Sequence, residues 1–107
     1  MGKAGRDERE AAYFTMLRAI DERDELMRYR DFLHNELARL EGFVNETREL
    51  EDALPRRMRK PIEQTTKQLA DAVGKRRNAV EMEYRRIDDR ISAAEAFVRE
   101  CETEYYG

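Results

Sequence analysis

The apolar residues of this 107-residue chain form a pattern that nearly mirrors itself about residues 56 and 57. When the chain is folded there, Leu33 meets Val80 and Leu26 meets Ile87, and each pair of residue numbers has the same sum. Toward the termini this sum changes by only one residue. Antiparallel partners obey such a rule because one residue number rises as the other falls. The pattern therefore predicts an all-α fold, a long antiparallel helical hairpin of the coiled-coil type.

Charged residues follow the same rule as the apolar ones. Glu36 with Arg77 and Glu46 with Lys67 have the same sum as the apolar pairs, so each is predicted to face an opposite charge. Charged residues make up 42% of the chain and Trp is absent, a composition typical of long solvated helices.

Local signals set the predicted boundaries of a single domain. Asp7 and Glu10 have the spacing of a capping box, so residues 1–6 are predicted to be a flexible N-terminus and the first helix to span 7–53. The two prolines, Pro55 and Pro61, bracket a predicted turn over 54–60. The second helix is predicted over 61–105, which makes residues 7–105 one helical hairpin domain.

The two helices differ in how regular their apolar stripes are. In the second helix an uninterrupted heptad stripe is predicted to form the core, and its members are Val80, Tyr84, Ile87, Ile91, Ala94, Val98, Cys101 and Tyr105. The first helix has two stripes displaced by one residue, namely Tyr13, Leu17, Ile20 and Met27, followed by Leu26, Leu33, Leu37, Leu40 and Val44. The displacement near residues 21–26 predicts a stammer that locally overwinds the coiled coil.

Gly42 and Gly74 interrupt the helical pattern at nearly the same level of the hairpin. Each costs about 1 kcal/mol relative to Ala within a helix. A kink or a tight helix crossing at these glycines is one interpretation. The alternative is a three-helix bundle with breaks there, but its middle helix would contain both prolines.

Some apolar residues lie beside the predicted seam and exceed what one hairpin can bury. These residues are Phe32, Phe43, Leu50, Ile62, Leu69 and Phe97. A wide apolar face requires further helices against it, so a homodimer forming a four-helix bundle is predicted. A heterologous protein partner would satisfy the same face.

Basic residues concentrate around the predicted turn. Residues 54–79 contain eight basic and two acidic side chains, whereas the whole chain has a net charge of −3. The candidate contacts for an anionic partner are Arg56, Arg57, Arg59, Lys60, Lys75, Arg76 and Arg77. They could bind nucleic acid or an acidic protein, or they could neutralise the acidic helix that faces them. A sequence pI near 5.3 disfavours nucleic acid as the partner.

Catalytic and metal-binding patterns are not evident. His34 and Asp31 have the spacing of one half of a di-iron motif, but the chain contains a single histidine, and Cys101 lies at a predicted core position. We therefore expect no enzyme activity, no metal, no cofactor and no small-molecule substrate. The lack of an apolar run of membrane-spanning length or of a signal peptide, together with a single cysteine, predicts a cytoplasmic protein without membrane contact.

These observations predict a non-enzymatic interaction, regulatory or adaptor module that acts as a homo-oligomer. The alternatives are a nucleic-acid-binding protein that uses the basic turn, and a structural or scaffolding component of a phage or larger assembly.

Overall fold

The protein consists of two long α-helices that form a hairpin. The computed structural model describes the backbone of residues 2–107 and the side chains of residues 5–107. Helix α1 spans Gly2–Ala53 and helix α2 spans Arg56–Tyr106, so that 97% of the described residues are helical. The predicted all-α hairpin is confirmed. The three-helix alternative is not observed, because each helix runs without a break through its glycine, Gly42 or Gly74.

The turn is much shorter than the predicted segment 54–60. The Leu54 N–H donates to the Glu51 carbonyl (3.1 Å), which closes the last turn of α1. The Pro55 carbonyl accepts the first bonds of α2, from the N–H groups of Met58 (2.9 Å) and Arg59 (3.0 Å). Pro61 therefore lies inside α2 and is not its first residue. The fixed φ angle of proline is compatible with a helix, but at this position Pro61 loses one backbone hydrogen bond and its ring crowds the carbonyl of Arg57, four residues earlier.

Both outer ends of the helices also extend beyond the predicted bounds. Helix α1 begins at Gly2, whereas the sequence predicts a flexible segment over 1–6 and a start at Asp7. Met1 lies outside the described residues. A capping box marks a favourable helix start, but it does not prevent further turns upstream of it. Helix α2 ends at Tyr106, one residue later than predicted.

The chain divides into two compact units, and each has its own core. The terminal unit comprises the described part of Met1–Asp31 together with Arg85–Gly107, and the turn unit comprises Phe32–Tyr84. In the terminal unit Met16, Ala19, Val98 and Cys101 form a buried cluster, and Ile20 and Tyr105 pack against it. Ile87 and Ile91 are also buried in this unit. The buried side chains of the turn unit are Leu33, Val73 and Val80. The turn unit thus has the thinner core.

Burial along α2 follows the predicted heptad. Every predicted core position from Val80 to Tyr105 is buried or half-buried. Near the termini, the mirrored pattern places Met16 opposite Val98, and these two residues belong to one buried cluster.

The first apolar stripe predicted in α1 is partly buried. Ile20 packs against the buried cluster and Met27 is half-buried, whereas Tyr13 and Leu17 are exposed, at 39% and 37%. A heptad also continues along the whole of α1, and its buried or half-buried positions are Ala12, Met16, Ala19, Arg23, Leu26, Arg30, Leu33, Leu37, Leu40, Val44, Thr47 and Glu51. The stammer stays a prediction. Arg23 and Arg30 occupy seam positions in this register, where they pair with Asp24 (3.2 Å) and Asp88 (2.9 Å). Their carboxylate partners allow these half-buried guanidinium groups to interrupt the apolar stripe without shifting its register.

Candidate interaction surface

An ion pair defines the register on one side of the turn unit. Glu36 Oε1 on α1 lies 3.8 Å from Arg76 Nε on α2, and Glu36 Oε2 accepts a 2.6 Å hydrogen bond from Arg39. The sequence predicts Arg77 as the partner of Glu36, but Arg77 pairs with Glu81 on its own helix (3.4 Å). The predicted partner of Glu36 is therefore wrong by one residue. Arg76, not Arg77, lies beside the seam on the same side as Glu36.

Two apolar pairs continue this side toward the turn. One heptad from Glu36 and Arg76, the same side carries Phe43 on α1 and Leu69 on α2, and one heptad further it carries Leu50 and Ile62. Phe43 and Leu69 also line a common cavity. We call Phe43, Leu50, Ile62 and Leu69 the apolar strip.

The apolar strip is exposed in the single chain. Phe43 is 45% exposed, Leu50 72%, Ile62 39% and Leu69 40%. All four belong to the predicted partner face. The other two predicted residues of that face, Phe32 in the turn unit (60%) and Phe97 in the terminal unit (46%), are exposed as well. The turn unit therefore leaves more large apolar side chains in water along this side than it buries in its core.

A cavity of about 70 Å³ lies beside the strip between α1 and α2. Its lining includes Phe43, Thr47, Thr66, Leu69 and Ala70. Thr47 and Thr66 stand at seam positions, and the Thr47 hydroxyl donates to the Phe43 carbonyl (2.9 Å) of its own helix. Small and polar seam residues cannot fill the space between two helices as Leu or Ile would, so packing near the turn is loose.

The basic residues at the turn have different surroundings. The Arg59 guanidinium donates to the Leu54 carbonyl from Nε (3.2 Å) and Nη2 (3.1 Å), and Nη2 reaches the Asp52 carbonyl at 3.4 Å. The last turn of α1 contains no basic residue of its own. Arg59 therefore caps the C-terminal end of α1 from the neighbouring helix, where a positive charge is favourable. Arg56, Arg57 and Lys60 are exposed.

The second basic cluster is partly engaged within the chain. Arg76 and Arg77 each have the carboxylate partner described above, whereas Lys75 is exposed. Four of the seven residues predicted to contact an anion are thus exposed, and the structure describes no carboxylate partner for them. They are Arg56, Arg57, Lys60 and Lys75.

The residues considered for chemistry occupy ordinary helical positions. His34 is exposed, and its ring centroid lies 6.5 Å from that of Tyr84. The Ser92 hydroxyl donates to the Asp88 carbonyl one turn before it (3.3 Å). Burial raises the pKa of the Cys101 thiol, and the nearby carboxylates of Glu104 and Glu100 raise it further. Among the residues that the structure describes, no three metal-ligating side chains converge.

The terminal unit contains a group of aromatic residues that sequence reasoning did not recognise. Tyr13 lies 5.3 Å from Tyr105 and 5.8 Å from Phe14 between ring centroids, and Tyr105 lies 4.8 Å from Tyr106. The sequence does contain a signal for this group, because its members lie near the two ends of the chain and the hairpin brings these ends together.

Comparisons with known proteins assign no family to this chain. No protein-family model matches it, and neither a curated protein nor a solved structure is significantly similar to it. Over the described residues, neither helix contains an apolar stretch suited to crossing a membrane.

Proposed function

We propose that this protein is a non-enzymatic helical interaction module, of a regulatory or adaptor kind, that acts as a homo-oligomer. The observation that carries the proposal is the apolar strip of the turn unit, whose four side chains are 39% to 72% exposed. Large apolar patches on a soluble chain mark sites of association. A second copy is the occupant we propose, in a four-helix arrangement.

The accessible surface of the chain supports this proposal. It amounts to 8818 Å². A compact monomer of this mass would expose about 6,300 Å². A hairpin of two long helices exposes more surface than a compact globule in any oligomeric state, and the excess is large enough to include the roughly 800 Å² that each partner contributes to a stable interface of standard size. Covering the strip would also compensate for the thin core of the turn unit.

The surroundings of the potentially reactive side chains support a non-enzymatic role. The Ser92 hydroxyl is bonded to a backbone carbonyl, and the raised pKa of buried Cys101 disfavours its nucleophilic thiolate form. His34 is an exposed residue beside an aromatic ring. Each of these side chains is accounted for by helical structure or packing.

Nucleic-acid binding is the second candidate, and it rests on the exposure of Arg56, Arg57 and Lys60. It is weaker than the first because Arg59, Arg76 and Arg77 are engaged within the chain. A scaffolding role in a larger assembly would use the same apolar strip as the first proposal.

The test is the molar mass in solution, measured by light scattering coupled to size exclusion. We expect about twice the chain mass of 12.8 kDa at tens of micromolar. Phe43→Glu should lower the mass toward that of one chain while helicity by circular dichroism is retained, because it places a charge in the strip. Met82→Glu is the matched control, since Met82 is 73% exposed and lies away from the strip on α2.

Each other outcome has a distinct meaning. A wild-type monomer would contradict the homo-oligomer and point to a heterologous partner for the strip, and a mass well above two chains would favour the scaffolding role. Affinity capture of the tagged protein, with and without nuclease, tests the nucleic-acid candidate. If the protein binds nucleic acid, the captured partners should be lost on nuclease treatment.

A further inference from the structure

The seam between α1 and α2 is poorly filled near the turn. From position 34 to position 72, a segment that the structure describes throughout, no residue is buried. Small or polar side chains occupy most of its seam positions, which include Val44, Thr47 and Glu51 on α1 and Glu63, Thr66 and Ala70 on α2. All of these except Glu63 line the cavity of about 70 Å³ described above. The observed packing therefore keeps the largest apolar side chains of this segment outside the seam.

The apolar strip forms a second possible seam in the same segment. Each of its residues directly precedes a seam position, as Phe43 precedes Val44 and Leu69 precedes Ala70. Because successive residues lie about 100° apart around a helix, a rotation of each helix by about 50–60° would exchange these two sets of positions. The other seam positions, such as Thr47, belong to both seams. Two packings are thus available to the same residues.

We propose that the turn unit has two packings, related by rotations of α1 and α2 in opposite senses, and that the rotated packing closes the apolar strip on itself. In the rotated packing Phe43 lies against Leu69, and Leu50 lies against Ile62, between the two helices. In the observed packing these four side chains are exposed. The rotation therefore determines whether the strip is accessible to a partner.

Burial and charge favour the rotated packing. It removes four large apolar side chains from water, which is the main favourable term when helices pack. It also separates two like charges. One heptad from Val44 and Ala70, the seam positions of the observed packing are Glu51 and Glu63, whose carboxylates repel each other across the seam.

Register favours the observed packing, because its heptad continues without interruption from Leu33 toward the turn. The rotated seam makes two successive steps of three residues over 37–43 in α1, and two successive steps of four residues over 69–77 in α2. Such irregular steps locally overwind or unwind a coiled coil. Opposing preferences of this kind are what makes a packed element bistable.

The two internal glycines lie at the level where the register changes. Gly42 falls within 37–43 and Gly74 within 69–77. The observed packing requires neither glycine, because neither has a positive φ angle and an added Cβ would meet no other atom within 4 Å. Glycine adjusts its backbone at the lowest energetic cost, so both positions are suited to absorb local overwinding or unwinding. The rotation thus accounts for two residues that otherwise only weaken their helices.

Two pairs of exposed positions report the rotation in opposite directions. Glu46 and Thr65 lie beyond the strip, one on each helix, and Arg48 and Lys67 lie on the other side of the seam. Each pair is changed to cysteine in a Cys101→Ala background and labelled with nitroxides. The labelled protein is diluted with unlabelled protein, and distances within one chain are measured by double electron–electron resonance. Rotation should bring the labels at 46 and 65 closer together and move those at 48 and 67 apart, so we expect two distance populations for each pair.

Substitutions in the seam should select one packing. Glu51→Leu with Glu63→Leu makes the observed seam apolar, so the rotated population should be lost from both label pairs. Val44→Glu places a charge in the observed seam and should increase the rotated population. Met82→Glu, at a position that is 73% exposed, is the control and should shift neither distance. A single distance population that none of the seam substitutions shifts would overturn the proposal.

The outcomes separate this inference from the proposed function, on which only its link to association rests. If a second copy binds the strip, the rotated population should decrease as the protein concentration is raised, because the partner selects the observed packing. Two populations in a protein that remains monomeric would support the rotation and contradict the homo-oligomer. A dimer with one population that the substitutions do not shift would contradict the rotation alone. Circular dichroism checks that each variant stays helical, and the Glu51→Leu, Glu63→Leu variant keeps the test decisive if Val44→Glu unfolds the chain.

Discussion

At the scale of single residues, a side chain that the sequence assigns to a partner can have a role within the fold. Arg59 belongs to a run of exposed basic residues, yet its guanidinium bonds the carbonyls of Leu54 and Asp52. The run Arg56-Arg57-Met58-Arg59-Lys60 contains no signal that separates this arginine from its neighbours. The difference arises from helical geometry, because the position of Arg59 on α2 directs it toward the end of α1.

Removing the Arg59 cap should destabilise the protein. We expect Arg59→Ala to lower the free energy of unfolding by about 1 kcal/mol, since the carbonyls of Leu54 and Asp52 at the end of α1 lose a charged donor. Arg57→Ala, at an exposed position two residues earlier, should change it by less than about 0.5 kcal/mol. Urea denaturation followed by circular dichroism measures both values at a protein concentration where the oligomeric state is the same. Equal effects of the two substitutions would mean that Arg59 does not act as a cap.

At the scale of elements, α2 was predicted more accurately than α1. The core positions of α2 from Val80 to Tyr105 are all apolar or aromatic, so the heptad can be identified from residue type alone. In α1 the seam passes through Arg23 and Arg30, and the exposed Tyr13 and Leu17 form a competing apolar pattern. An arginine in a sequence is usually taken as a surface residue, so residue type alone could not place Arg23 and Arg30 in the seam. Their ion pairs with Asp24 and Asp88 are visible only in the folded structure.

The glycines within the helices give a prediction at this scale. Neither Gly42 nor Gly74 has a positive φ angle, and a Cβ added at either position would meet no other atom within 4 Å. Within the single chain, α1 and α2 therefore do not cross tightly at these glycines. Gly42→Ala and Gly74→Ala should each stabilise the protein by about 0.5–1 kcal/mol, because alanine restricts the unfolded chain and favours the helix.

Thermal unfolding measures the effect of these glycine substitutions. An increase of several degrees in Tm is expected for each variant in a chain of this size. The double variant should show nearly additive stabilisation if the two sites are independent. A decrease for either substitution would mean that the glycine is needed for a contact or a bend that forms when the protein associates.

At the scale of the whole molecule, the hairpin and the place of its turn could be predicted because they depend on the mirrored apolar pattern and on Pro55. The length of the turn could not, because Pro61 lies inside α2 and does not begin it. The apolar strip was also identified from sequence, since its residues lie beside the seam at helical spacing. The opposing pairs within the strip required the Glu36–Arg76 contact, which fixes how the two helices are aligned on that side. The sequence alone had placed Arg77 there. An error of one residue moves a side chain by about 100° around a helix and thus onto another face.

The distribution of charge leads to the last prediction, which concerns nucleic acid. The chain has 21 basic and 24 acidic residues, and segment 54–79 holds eight of the basic and two of the acidic ones, so 13 basic and 22 acidic residues remain elsewhere. Phosphates attracted to Arg56, Arg57 and Lys60 would be repelled by this acidic remainder. We therefore expect no appreciable binding of duplex or single-stranded nucleic acid at physiological salt, as measured by fluorescence anisotropy. Weak binding at low salt should disappear when these three residues are changed to Glu, with Arg59 kept to preserve its cap. Submicromolar, salt-sensitive binding by the wild type that this triple variant abolishes would instead establish the basic turn as a nucleic-acid site.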